Sequence, residues 1–74
     1  MLEKRLSLWT VYRRPLDHPD SFVARRWEIH PEIAPTADVL LAHDLEALRE
    51  MLPSGLVRLD RQPTDDPVIV ESWV

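Results

Sequence analysis

The chain has 74 residues, of which 45% are hydrophobic and 30% charged, and its formal net charge at pH 7 is −4. This composition is typical of one globular domain, residues 1–74, and excludes wholesale disorder. The negative charge disfavours nonspecific binding to nucleic acid or to an anionic membrane surface.

The chain contains no cysteine. Disulfide bonds, thiolate metal sites and cysteine nucleophiles are therefore excluded, and the composition fits a reducing compartment. Residues 1–5 lead into the chain without the apolar segment of a signal peptide. No apolar run approaches the roughly 20 residues that are needed to cross a bilayer. We therefore expect a cytoplasmic protein without a membrane-spanning segment.

The first third of the chain is predicted to form a β-hairpin. Residues 6–13 and 22–29 are rich in β-branched and aromatic side chains, which favour strands. Between them, Pro15, Pro19 and neighbouring aspartates fix a turn. Residues 30–37 contain two more prolines and are predicted to be an extended crossing.

Residues 39–42 are predicted to be a short buried strand, and residues 44–52 the helix. Asp44 is a favourable N-cap, because its carboxylate can accept hydrogen bonds from the open backbone N–H groups. Leucines recur within the helix at spacings of three and four, which places them on one face. Pro53 and Gly55, the only glycine of the chain, end the helix.

Residues 56–59 and 68–74 are predicted to be the last two strands, with a turn at residues 61–67. The element order is then β-β-β-α-β-β. This order indicates an α+β domain with a small, mostly antiparallel sheet and one short helix on one face. An alternative interpretation extends the helix back to Thr36.

The predicted helix is too short to cover the whole sheet. It is about 13 Å long and can cover two or three strands on one side only. Successive strand residues point to opposite faces, and both faces of the first and last strands carry large apolar side chains. We therefore expect a second buried surface, formed with another copy or another protein, and oligomerisation often stabilises a domain of this size.

The same alternation predicts one candidate interaction surface. If the strands are adjacent and in suitable register, one face carries Trp9, Arg25, Trp27, Glu71 and Trp73. Tryptophan and arginine dominate interface hot spots, and Arg25 opposite Glu71 would be a favourable cross-strand pair. The alternative is that the tryptophans fill the core of the monomer, since each buries a large area.

The arginine pairs at 13–14 and 25–26 suggest another possibility. Together with nearby aromatic side chains, they could bind a small ligand or a single-stranded nucleic acid by stacking and charge. However, each pair divides between the two faces of its strand, and acidic residues lie close by. Nucleic acid is therefore the less favoured partner.

Acidic residues in the two turns are candidate metal ligands. Asp17, His18 and Asp20, together with Asp65 and Asp66, could supply oxygen and imidazole donors to a divalent ion. Aspartate is also common in turns for local hydrogen bonding, and the spacing matches no known metal-binding loop. The sequence predicts no metal site.

No catalytic pattern is present in the sequence. It contains no nucleophile motif, no phosphate-binding glycine loop and no histidine pair at helical spacing. The sequence therefore predicts a non-enzymatic interaction module without a cofactor, which associates with itself or with another protein.

Two stretches resemble a group of short bacterial proteins that have no assigned activity. They are residues 17–29 (DHPDSFVARRWEI) and residues 52–71 (LPSGLVRLDRQPTDDPVIVE), nearly half of the chain. The resemblance implies a bacterial, cytoplasmic protein. It implies no catalytic, cofactor or binding residue.

Overall fold

The computed structural model describes residues 6–29 and 32–74. The described residues form β1 (Leu6–Arg13), β2 (Phe22–Ile29), β3 (Ile33–Ala42), α1 (Leu45–Met51), β4 (Arg58–Asp60) and β5 (Ile69–Trp73). The predicted α+β fold and its element order are confirmed. The interpretation of residues 1–5 as lacking a signal peptide concerns a segment outside the described residues, and so does the start of the predicted crossing at residues 30–31.

The five strands form one antiparallel sheet in the order β3-β2-β1-β5-β4. β1 lies at its centre and pairs with β2 along its whole length, from Leu6 opposite Ile29 to Arg13 opposite Phe22. The predicted hairpin is therefore present with the predicted bounds. In the described part of the chain, no helix has the length and apolar character that crossing a bilayer requires.

The third strand differs from its prediction. Residues 33–37 were expected in an extended crossing and residues 39–42 in a short buried strand, but they form one strand at the edge of the sheet. Because an edge strand has a neighbour on one side only, its side chains are less covered. Val39 and Leu41 are accordingly exposed.

An irregularity in β3 accommodates the proline that suggested a crossing. The register with β2 shifts between Arg25 and Trp27, and Pro35 lies opposite Trp27. The Thr36 hydroxyl donates to the Arg26 carbonyl oxygen at 2.9 Å and accepts from the Asp38 N–H at 3.1 Å. The side chain of Thr36 thus supplies hydrogen bonds where the regular ladder is interrupted.

The helix agrees with its prediction. The Asp44 carboxylate accepts from the Ala47 N–H at 2.8 Å, and Leu52 returns to an extended backbone conformation before Pro53. The alternative extension to Thr36 is wrong, because that residue belongs to β3. Helical spacing places Leu48 over the sheet, where it is fully buried.

The core lies between α1 and one face of the sheet. Its buried residues are Trp9, Val11, Ala24 and Leu48. Partly buried side chains surround them: Phe22, Leu40, Ala42, Leu45, Leu52, Leu56, Val70 and Trp73. The helix and the segment that follows it therefore cover this face, which we call the helix face.

The last two strands are shorter than predicted, and β5 contains a bulge. Val11 pairs with Glu71 but Tyr12 pairs with Ile69, so Val70 is an extra residue. Because of the bulge, Ile69 and Glu71 lie on different faces of the sheet. The alternation expected for residues 68–74 placed both on the same face and is wrong at this point. Val70 contributes to the core instead.

We expect Asp44→Ala to lower the free energy of unfolding by about 1 kcal/mol, because the Ala47 N–H loses its acceptor. Urea denaturation followed by circular dichroism measures the change. Asp20→Ala, which removes an exposed turn carboxylate, is the matched control and should stay within about 0.5 kcal/mol of the parent. Equal losses in both variants would contradict the assigned cap.

Candidate functional site

The observed register separates the five residues that were expected to share one face. Trp9 lies opposite Arg26, and Leu8 lies opposite Trp27. Trp27 and Arg25 therefore point away from the helix, whereas Trp9 points toward it. On β5, Trp73 pairs with Trp9 and Glu71 with Val11, so both lie on the helix face. The prediction of a single Trp/Arg/Glu face is wrong by one residue of register.

The expected pair between Arg25 and Glu71 is also wrong, because β1 lies between their strands. Arg25 instead donates to the Asp17 carboxylate at 2.7 Å. Glu71 is only 2% exposed. It accepts two hydrogen bonds from Arg49 of α1, from Nε at 2.9 Å and from Nη2 at 2.6 Å. This bidentate pair joins the helix to the sheet.

Two further groups complete the surroundings of the Glu71 carboxylate. The Trp73 indole N–H donates to Oε2 at 2.8 Å, and Arg58 of β4 approaches Oε1 at 3.6 Å. Within the described residues, no buried side-chain polar atom lacks a hydrogen-bond partner. The buried acid is therefore fully compensated, and its role is to hold α1, β4 and β5 together.

These contacts shift the pKa values of the pair. Burial raises the pKa of Glu71, but hydrogen bonds from Arg49 and Trp73 and the charges of Arg49 and Arg58 outweigh it, so the pKa lies below its ordinary value. The hydrogen bond with Glu71 raises the pKa of Arg49, although burial opposes it. Glu71 is therefore ionised at neutral pH.

Arg49 is not among the site residues that the sequence predicted. The sequence contains a pattern that could have predicted this pair. An acidic residue on the inward side of an apolar strand, such as Glu71, requires a cation nearby. Arg49 lies one residue after the inward-pointing Leu48, on the helix that covers that face.

The opposite face of the sheet carries no helix, and we call it the open face. One end of it is covered by the β1–β2 turn, because Asp17 of that turn reaches Arg25 on this face. Val23, which also points this way, is fully buried. The centre of the face is polar, with Thr10 between Arg25 and Ser72. The same row ends at the two edges of the sheet in the exposed side chains of Val39 and Leu59.

The other end of the open face is apolar and exposed. Leu6, Ile29 and Ile33 form one row across three strands. A second row contains Trp27, Leu8, Val74 and Val57. In this row Leu8 is paired with Trp27, and Val57 is joined to Val74 by reciprocal hydrogen bonds of 2.7 and 3.0 Å.

We call these seven residues the apolar patch. Leu6 is 57% exposed, Ile33 65%, Val57 62% and Val74 46%, whereas Leu8, Trp27 and Ile29 are half-buried. None of the seven side chains carries a charge. The largest apolar patch on a monomer is often functional. Of the predicted interaction residues, only Trp27 belongs to it.

The arginines do not form a continuous basic surface with the aromatic side chains. Arg26 points to the helix face, where it donates to Asp38 at 2.6 Å and to Ser7 at 3.1 Å. Arg13 lies over the Phe22 ring at 5.7 Å. Arg25 is paired with an acid on the open face. Within the described residues, these three arginines are each engaged with an acid or an aromatic ring, and they do not share one face.

The acidic turns are engaged in local hydrogen bonds. Asp65 accepts from the Gln62 N–H at 2.9 Å, and Asp66 accepts from the Val68 N–H at 3.0 Å. Across residues 6–29 and 32–74, no group of three or more histidine and acidic side chains is placed to hold a metal ion, and these residues enclose no pocket.

Comparisons of the chain with protein-family models, curated proteins and solved structures gave no match.

We expect Glu71→Gln to lower the free energy of unfolding by about 3 kcal/mol, because Arg49 loses its ionic partner at a buried site. Chemical denaturation at pH 7 measures the loss. Glu50→Gln, at an exposed position of the same helix, is the control and should change stability by less than about 0.5 kcal/mol. A loss below 1 kcal/mol for Glu71→Gln would contradict the role of the pair.

The lowered pKa of Glu71 predicts a loss of stability in acid. Its contribution is fully present above the ordinary value of 4.5 and is lost as the pH falls through the lower pKa of the folded state. The stability difference between the parent protein and Glu71→Gln should therefore shrink as the pH is lowered from 7 to below about 4. Denaturation at several pH values tests this, and a constant difference would refute it.

Proposed function

We propose that this chain is a small, non-enzymatic interaction module that binds other protein chains, its own copies included, through the apolar patch of its open face. One observation carries the proposal. A contiguous, uncharged group of large apolar side chains lies exposed at one end of the sheet, on the side away from the helix.

The physical reason is the cost of leaving such a surface in water. Burial of apolar surface stabilises association by about 25 cal/mol per Å², although much of this gain offsets the entropy lost when two chains associate. The largest exposed apolar patch of a monomeric protein is often functional. Trp27 lies within the patch and is the residue type most enriched among interface hot spots.

The surrounding geometry supports binding of a protein surface over binding of a small molecule. The described residues enclose no pocket, whereas small-molecule sites are concave cavities that bury most of the ligand. The patch is built on paired strands, so its side chains project from a sheet surface and not from the walls of a cavity. The absence of cysteine supports the cytoplasm as the place where the module acts.

Quantitative co-purification tests the proposal. Tagged protein is expressed in cells, crosslinked and isolated in three forms: the parent, Ile33→Asp and Leu16→Asp. Leu16 is fully exposed and lies in the β1–β2 turn, outside the patch, so it is the matched control. We expect Ile33→Asp to reduce the yield of bound chains at least tenfold, because a carboxylate would be buried without a partner.

The control variant should retain the bound chains at the level of the parent protein. Identical sets of bound chains for all three forms would refute the proposal. Loss of the same chains in both variants would show that the patch is not the binding surface.

A further inference from the structure

We draw no further inference here: the strongest candidate, the apolar patch of the open face together with the exposed Val39, Leu41 and Leu59 at the edges of the same face, belongs to the site already described, and nothing in the described part of the chain shows what covers it.

Discussion

The structure depends on a mismatch between one short helix and a five-stranded sheet. Seven helical residues span about 10 Å, whereas strands about 4.8 Å apart make this sheet considerably wider. The helix can therefore cover only one face, and the core forms there around Trp9 and Leu48. The other face is covered in part by its own side chains and by the β1–β2 turn, and the remainder is exposed to solvent. The position of the apolar patch follows, since among the described residues neither the helix nor the β1–β2 turn covers that end of the sheet.

A helix this short needs an anchor, and a buried ion pair provides it. Arg49 and Glu71 form a bidentate pair, and Trp73 and Arg58 contact the same carboxylate. Desolvation offsets much of the attraction within a buried pair, so the net contribution of the pair is smaller than the loss when one partner is removed. Its geometry fixes the helix over the sheet in one orientation. The same strands form both faces of the sheet, so this arrangement also determines the shape of the open face.

The helix and strands could be predicted from local patterns in the sequence. The relations between distant strands could not be predicted as well. The bounds of β1 and β2, the Asp44 cap and the end of the helix before Pro53 all depend on neighbouring residues, and these predictions are confirmed. The candidate site depended on register, which a hairpin turn of several residues does not fix. A shift of one residue moves every side chain to the other face, and it separated Trp27 from Trp9. The bulge at Val70 could not be predicted either, because it is defined by the pairing of β5 with β1.

The irregularity of β3 has a consequence for aggregation at the edge of the sheet. A long, regular edge strand would offer its free backbone groups to any other strand and could start open-ended aggregation. Here Pro35 has no N–H to donate, and the register shift near Thr36 breaks the ladder in two. At the opposite edge, β4 has only three residues. Both edges of the sheet are therefore poor templates for fibre growth.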